Sequence, residues 1–303
     1  MAEITKERID ALIHGAIDLH CHSGPSIMDR KLNHIEAAEE ADAAGMRAIA
    51  YKDHYYGTSP AIRILKESVL SEARIELLGG IVLNNSVGGF NPYAVEHDLK
   101  MGGRMIWMPT LFAANHIRYF HRSKFIGPGT TMRKHEALSV VDKKGNITEP
   151  VLQVLEVIAE YDGVLSAGHL HISEIWPLFE AARKAGITRL LVNHPMLFIG
   201  CTLADMTELA ADGVYLEQCA CMLIDCPGRH HTDEELLSFI EAAGIDQTIL
   251  SSDLGQMTNP RPVEGFREVI ELCLTLGFSD DDVRKMVSTN ATRLLGLDES
   301  ATK

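Results

Sequence analysis

Two histidines, His20 and His22, stand two residues apart at the end of an apolar run near the start of the chain. Alternate residues of a β-strand point to the same side of a sheet, so both imidazoles would face one place. Neutral imidazole is a common ligand for zinc and also suits iron and nickel. The pair therefore predicts a metal site, although two surface histidines after a strand would have the same spacing.

Further polar side chains follow other short apolar runs along the chain. They are Lys52, Asp53 and His54 after the second run, Asn84 and Asn85 after the third, His169 after the fifth, His194 after the sixth, Glu217 at the end of the seventh and Asp253 after the eighth. A histidine at one such place is usually a local hydrogen-bonding residue. Histidines or an aspartate at five of these ends predict a shared metal site, provided that the fold brings the ends together.

The elements that would position these residues alternate along the whole chain, short apolar runs reading as strands and longer periodic segments as helices. Strands are predicted at 16–19, 46–51, 75–83, 104–108, 164–167, 189–192, 214–217 and 248–251. Eight strand–helix units in sequence predict a (β/α)8 TIM-like barrel whose active site lies at the carboxyl ends of the strands. An open doubly wound sheet would also alternate, but no glycine-rich dinucleotide loop follows the first strand. Residues 1–303 are predicted to form a single domain.

The longest irregular connection, residues 111–147, follows the fourth strand and is predicted to be a lid-like insertion. It is rich in basic residues, although the chain as a whole has a formal net charge of −14. Such a lid would present cations to an anionic substrate, with His116 and Arg118 as the predicted contacts. A solvated loop would have the same composition. The basic residues are His116, Arg118, His121, Arg122, Lys124, Arg133, Lys134 and His135.

The composition is that of a soluble globular protein, with 46% hydrophobic and 23% charged residues. The negative charge argues against general nucleic-acid binding. The six cysteines form no CxxC pair, the first residues lack an apolar signal core, and no run approaches the length of a membrane span. We expect a cytoplasmic protein that acts on a small molecule, binds neither nucleic acid nor membranes, and forms a homo-oligomer.

The pattern resembles that of the amidohydrolase superfamily, with His20-Cys21-His22 on strand one, His169 and His194 on strands five and six, and Asp253 on strand eight. The segment Asn-Ala-Thr-Arg-Leu-Leu-Gly at 290–296 also resembles a common ending of these enzymes. The resemblance implies a metal-dependent hydrolase in which His20, His22, His169 and Asp253 hold one divalent metal, zinc before manganese, iron or nickel. It further implies that Asp253 passes the proton of the activated water to the leaving group. His194 would polarise the substrate carbonyl or steady the water.

Two positions depart from the superfamily pattern. Binuclear members usually carry a carbamylated lysine at the end of strand four, whereas residues 104–110 here contain neither Lys nor Glu. This departure favours one metal, as in deaminase-like and decarboxylase-like members, and leaves a second metal open. The run Tyr51-Lys52-Asp53-His54 resembles the polymerase-and-histidinol-phosphatase (PHP) family instead. Hydrolysis of an amide, cyclic amide or ester-like bond therefore has three alternatives: non-oxidative decarboxylation, PHP-type phosphoester hydrolysis, or a non-catalytic barrel that binds a metal or ligand.

Several residues beside this set keep more than one interpretation. Lys52 would contact a substrate anion, pair with Asp53 or Glu217, or be carbamylated, because a buried lysine needs a partner. His54 would contact substrate or join His194 as a ligand of a second metal. Asn84 would contact substrate or shape a tight loop. Glu217 would hold a ligand histidine in position.

Overall fold

Eight parallel strands form one sheet whose order follows the chain, in a computed structural model that describes residues 3–120 and 132–297. The strands are almost wholly buried, as expected where helices cover the outer face of a parallel sheet. Their bounds are β1 Ile17–Cys21, β2 Ala48–Tyr51, β3 Glu76–Val82, β4 Gly103–Trp107, β5 Val164–Ser166, β6 Leu190–Asn193, β7 Tyr215–Cys219 and β8 Thr248–Ser251. The parallel order confirms the predicted (β/α)8 fold.

The first strand meets the chain just beyond the last strand, which brings the sheet round into a barrel. The His22 N–H donates to the Leu254 carbonyl at 2.9 Å, and the Asp253 N–H donates to the His20 carbonyl at 2.8 Å. The carboxylate of Asp18 accepts bonds from the Ser252 N–H at 2.9 Å and the His20 N–H at 3.0 Å. We call this contact between β1 and residues 252–254 the seam.

Helices alternate with the strands and cover the outside of the barrel. They are α1 Lys6–Ile13, α2 His34–Ala43, α3 Ser59–Lys66, α4 Pro92–Lys100, α5 Ala114–Tyr119, α6 Glu149–Glu160, α7 Ile172–Lys184, α8 Leu203–Ala211, α9 Asp233–Ala243, α10 Pro262–Thr275, α11 Asp280–Arg284 and α12 Asn290–Leu295. Short 3₁₀ turns lie at Asn85–Val87, Ala220–Met222 and Ile245–Gln247, and a π-helical segment at Lys285–Thr289 joins α11 to α12.

Local signals explain most helix ends. A capping box begins α9 at Thr232, since the Glu235 N–H donates to its Oγ1 and the Glu235 carboxylate accepts from the Thr232 N–H. The sequence did not predict α1 or α5. Six residues in α5 are too few to show a helical period, whereas α1 carries a buried apolar face that the period would have revealed.

The barrel interior is filled by apolar side chains from the strands and is closed at one end by α12. This inner cluster includes Ile17, Leu19, Met105 and Trp107. Residues on the other strand face, such as Tyr51, pack against the helices instead. Because the interior is filled, the fold offers space for a ligand at the carboxyl ends of the strands.

The segment predicted as a lid is described only in part. Within it, one bridge pairs Ala113, just before α5, with Leu138, and a second bridge pairs Val141 with Ile147. His121, Arg122 and Lys124 lie outside the described residues, so the lid stays a prediction. Across residues 3–120 and 132–297, no helix combines the length and apolarity needed to cross a membrane.

Candidate metal centre

Five imidazoles form a ring at the carboxyl ends of the strands. Going round it, the ring centroids are separated by 5.2 Å from His20 to His22, 5.0 Å from His22 to His54, 6.3 Å from His54 to His169, 5.1 Å from His169 to His194 and 6.1 Å from His194 to His20. The residues come from the ends of β1, β2, β5 and β6. The structure thus brings together every histidine that the sequence assigned to a metal.

Three side chains of this mouth converge closely enough to share one ion. Asp253 Oδ1 lies 3.2 Å from His20 Nε2 and 3.1 Å from His22 Nε2. The three donor atoms lie within 4.8 Å of one another, and all three residues are buried. Two imidazole nitrogens and a carboxylate oxygen make a donor set that suits zinc and other divalent transition metals. The residues present therefore fit a divalent ion.

A bulge in β1 directs both histidines to this mouth. The register between β1 and β2 shifts between Asp18 and Cys21. Leu19 packs in the inner cluster and Cys21 in the outer one, so the simple alternation of a strand is interrupted. The strand also runs to Cys21, so His20 lies inside β1 and does not follow it as the sequence predicted.

Glu217 supports His20 from β7. Its Oε2 lies 3.2 Å from His20 Nδ1, and Asn193 Nδ2 donates to the same oxygen. Burial acts to raise the pKa of this carboxyl, but the electrostatic interaction with His20 and the hydrogen bonds to His20 and Asn193 lower it to about 2. An ionised carboxylate on Nδ1 leaves Nε2 as the free nitrogen toward Asp253, which is the orienting contact expected beside a metal-binding histidine.

His22 is oriented by the backbone. Its Nδ1 lies 2.9 Å from the Lys52 carbonyl oxygen. A carbonyl only accepts hydrogen bonds, so Nδ1 carries the proton and the Nε2 lone pair faces Asp253. Burial, with the charge of Arg30 acting in the same direction, lowers the pKa of His22 to about 3. Burial likewise lowers the pKa of His194 to about 4. Both imidazoles are therefore neutral at pH 7, as metal ligation requires.

Asp253 and His194 share an uncommon backbone conformation. Their φ angles are +49° and +29°, and only one other described non-glycine residue, Asp162, has a positive φ. The left-handed region is disfavoured for residues with a Cβ, although Asp tolerates it better than most. At Asp253 it is held by the seam and by Gln256 Nε2, which donates to the Asp253 carbonyl at 2.8 Å. The seam and the Gln256 side chain thus fix the direction of this carboxylate.

Lys52 is fully buried inside the ring of imidazoles. Its Nζ lies 2.9 Å from His20 Nε2 and 5.5 Å from the centroid of the Trp107 ring. Burial lowers the pKa of this amine, while the carboxylates of Asp253 and Glu217 oppose the shift. Among the described residues, none forms an ion pair with Lys52, so the predicted pairing with Asp53 or Glu217 is not formed. A substrate contact and carbamylation stay predictions.

His54 is held by a hydrogen-bond network that includes Thr110 and both the nitrogen and the oxygen of the Asn84 side-chain amide. His54 Nδ1 lies 2.9 Å from Thr110 Oγ1. Asn84 Nδ2 donates to the His54 carbonyl at 3.0 Å and to Thr110 Oγ1 at 2.8 Å, and its Oδ1 accepts from the Thr110 N–H. The structure therefore places Asn84 behind His54, away from the cavity wall, where the sequence had suggested a substrate contact. Thr110, which the sequence did not suggest, fixes the ring of His54.

His169 and His116 form a second histidine pair on the opposite wall. Their Nδ1 atoms lie 3.0 Å apart, so one ring donates to the other. Gly168 lets the chain pass close to β4, since a Cβ there would lie 2.2 Å from the Met108 carbonyl oxygen. His169 lies in the ring of imidazoles but belongs to neither close group of donor atoms among the described residues. These groups are His20, His22 and Asp253, and His20, Glu217 and Cys219. The role of His169 as a fourth ligand stays a prediction.

The five histidines of the ring, together with Lys52 and Asp253, line a cavity of about 310 Å³. His116 belongs to it, whereas Arg118 on α5 is exposed and does not line it. Its walls are otherwise largely apolar, formed by Met28, Leu111, Phe120, Leu197, Phe198 and Met222. The sequence did not suggest Arg30, His230, Gln256 or Asn259, which also line it; they lie in loops with no residue pattern of their own. A larger cavity of about 680 Å³ near Arg133, Lys134 and His135 contains none of the candidate ligands.

The sequence matches the model of one protein family, a family of unknown function named DUF6282, over residues 15–217. That is about two thirds of the chain. The protein belongs to this family. The match includes His20, His22, His169 and His194 and ends before Asp253. No curated protein matches the sequence.

Solved structures match the whole barrel at low sequence identity. An amidohydrolase from Pseudomonas aeruginosa is 13% identical, with a TM-score of 0.65 over 96% of this chain and 98% of that one. The probable dipeptidase PvdM from Pseudomonas aeruginosa is 11% identical, with a TM-score of 0.64 and coverages of 96% and 97%. A 2,6-dihydroxybenzoate decarboxylase from Rhizobium is 12% identical, with a TM-score of 0.54 and coverages of 93% and 99%. These likenesses establish the fold. The resemblance to the PHP family gains no support from them.

Proposed function

We propose that this protein is a metal-dependent hydrolase of the amidohydrolase superfamily that acts on a small anionic molecule. The observation that carries the proposal is the convergence of His20 Nε2, His22 Nε2 and Asp253 Oδ1 at the carboxyl ends of the strands. This is the end of a (β/α)8 barrel at which enzymes of this fold carry out chemistry. The names of the similarly folded amidohydrolase and dipeptidase support the same reaction class.

His20, His22 and Asp253 would hold a divalent ion, with His169 as the expected fourth ligand and zinc as the first expected metal. Such an ion, when bound, supplies Lewis acidity that brings the pKa of a bound water toward neutrality. Asp253 is the one carboxylate among the described cavity residues and is the base that accepts the water proton. The His194 Nδ1 is buried without a hydrogen-bond partner, so His194 has an unused polar atom with which to hold a substrate oxygen.

Non-oxidative decarboxylation is the second candidate. The residues after β4 are Met108, Pro109 and Thr110, and Thr110 Oγ1 is already bonded to His54 and Asn84. This strand end therefore supplies no lysine or acid to bridge two ions, as in the decarboxylase-like members that use one metal. A decarboxylase is also among the similarly folded proteins. A decarboxylase would release CO₂ from a carboxylated substrate, whereas a hydrolase would release an acid and consume water.

Metal analysis of the purified protein tests the core of this proposal. The wild type should carry about one divalent ion per chain, measured by mass spectrometry after desalting. His22→Ala should lose most of that metal, whereas His97→Ala, which removes an exposed histidine on α4, should retain it. A double variant His20→Ala, His22→Ala with full metal content would contradict the assignment.

An activity screen then separates the two reactions. The metal-loaded protein would be assayed with carboxylated amides, lactones and esters for acid release, and with hydroxybenzoates for CO₂ release. Turnover in the first set that disappears in His22→Ala supports hydrolysis. Turnover confined to the second set would replace hydrolysis with decarboxylation.

A further inference from the structure

Arg30 lies in the loop between β1 and α2, in the wall of the cavity. Its backbone is fixed against the chain that follows Asp253, because Arg30 pairs with Gln256 in an antiparallel bridge. The Lys31 N–H also donates to the Gly255 carbonyl at 2.9 Å. The same segment therefore holds both Asp253 and Arg30, and their relative position is built into the fold.

The guanidinium of Arg30 has no ionic partner within residues 3–120 and 132–297. Its Nε is buried without a hydrogen-bond partner, and its Nη2 makes only a 3.9 Å contact with Met28 Sδ. An arginine that is largely removed from water needs hydrogen-bond acceptors, because an uncompensated buried cation is strongly unfavourable. An anion that enters the cavity would supply them.

The rest of the cavity favours the same kind of ligand. Asp253 is the sole acid among its described lining residues, and this acid already faces His20 and His22. Arg30 and Lys52 are the basic residues besides histidines. In a chain with a formal net charge of −14, this cationic lining would attract a negatively charged molecule.

Asp53 is the competing partner for Arg30. Its charge interacts with that of Arg30, and it opposes the lowering of the arginine pKa that burial causes. Its Oδ1 accepts the Tyr55 N–H at 2.8 Å, and its Oδ2 is buried without a hydrogen-bond partner. No ion pair between Asp53 and Arg30 is formed among the described residues. A purely structural Arg30–Asp53 interaction would make both residues matter for stability, and neither for ligand binding.

We propose that Arg30 is the anchor for the carboxylate of the substrate, and that the substrate is a small carboxylic acid with an apolar body. The planar fork of a guanidinium matches the two oxygens of a carboxylate, and the apolar wall around Phe198 and Met222 would contact the body. The inference rests on the proposed function for the identity of the cavity as the active site. It adds the substrate class and a specificity-determining residue.

Binding of benzoate and of its neutral isostere benzamide, measured by calorimetry on the protein as purified, tests the proposal. Wild type should bind benzoate saturably and more tightly than benzamide. Arg30→Met, which keeps the length and apolar volume of the side chain, should weaken benzoate binding by about 10–100-fold and benzamide binding by less than about threefold. Arg30→Lys should fall between, because the charge remains but the fork is lost. Arg74→Met removes an exposed arginine that lies before β3 and outside the cavity, and it should change neither.

Each other outcome overturns the inference. Benzoate binding that is absent in the wild type, retained in Arg30→Met, or lost equally in Arg74→Met would do so. Tighter, Arg30-dependent binding of inorganic phosphate would replace the carboxylate with a phosphate. A fall in melting temperature in both Arg30→Met and Asp53→Asn, with unchanged benzoate affinity, would assign Arg30 to a structural pair. Metal content is measured on the same samples to separate the two proposals. If the purified protein carries no metal but its benzoate binding still depends on Arg30, only the proposed function fails.

Discussion

Replacing Glu217 with glutamine should weaken divalent-metal binding while leaving the barrel folded. The carboxylate lies beside His20, with Oε2 3.2 Å from Nδ1, and Asn193 donates to the same oxygen. Glutamine keeps the size of the side chain and one acceptor oxygen. It removes the negative charge that makes the imidazole a better ligand. All three donor residues, His20, His22 and Asp253, remain unchanged.

The magnitude follows from the electrostatics of the buried carboxylate. Burial would raise the pKa of Glu217, yet His20 and Asn193 lower it from 4.5 to about 2. This corresponds to roughly 3 kcal/mol in favour of the ionised form over a neutral one. When a metal-binding histidine loses a hydrogen-bonded carboxylate of this kind, metal affinity usually falls by about 10–100-fold, or about 1.4–2.7 kcal/mol. This cost is smaller than the roughly 3 kcal/mol that favours the ionised carboxylate. The zinc dissociation constant should therefore rise by about 10–100-fold.

Competition with a chromophoric chelator on metal-stripped protein measures this constant. Glu174→Gln is the matched control, because Glu174 is a buried glutamate on α7 that accepts a bond from Ser139 at 2.6 Å and does not line the cavity. Melting temperatures of the metal-free proteins exclude a general loss of structure. The reasoning is refuted if Glu217→Gln binds zinc within about twofold of the wild type, or if Glu174→Gln weakens zinc binding equally.

Three further predictions concern stability and metal removal. Burial raises the pKa of Asp98 from 3.8 to about 6, so its contribution to stability is present below about pH 4 and is lost as the pH rises through 6, by roughly 3 kcal/mol in total. Asp98→Asn should gain stability relative to wild type as the pH rises from about 4 to about 6 in urea unfolding, whereas Glu96→Gln on the same helix should not; parallel pH profiles would contradict this. Gly255→Ala should lower both the melting temperature and the metal content, because a Cβ there would lie 1.5 Å from the His22 carbonyl oxygen; Gly213→Ala, which also has a positive φ but open space, should do much less, and equal losses would leave only backbone strain as the cause. A strong chelator should lower the melting temperature of the wild type but not of His22→Ala, since only a bound ion stabilises the native state; an equal fall in both would place the metal elsewhere.

The alternation of strands and helices was predictable because each strand is buried on both faces. Such a strand appears in the sequence as a short, continuous apolar run. The histidine ring was predictable for the same reason, since parallel strands of a barrel end at one mouth. The orientation of His20 and His22, however, depends on a bulge in β1 that no sequence pattern indicates. The strand boundaries near Glu217 and His20 were less accurate, because both residues are polar yet lie inside their strands.

Contacts between loops that are far apart in the sequence could not be predicted from it. Arg30 stands among polar loop residues, and only its bridge to Gln256 shows that it belongs to the cavity. Asn84 shows the opposite error, because its position after a strand resembles that of a ligand-binding residue. Its amide is instead consumed by His54 and Thr110. A residue type and its distance from a strand end do not reveal which groups compete for its hydrogen bonds.

The seam has a consequence for the order of events during synthesis. β1 is synthesised before the chain that pairs with its open edge, because residues 252–254 follow seven more strands. Until then one edge of the growing sheet remains without a partner, and His20 and His22 lack the third donor residue, Asp253. A nascent chain that stops before β8 has most of the barrel but not the donor set. The donor set is therefore complete only when β1 meets residues 252–254.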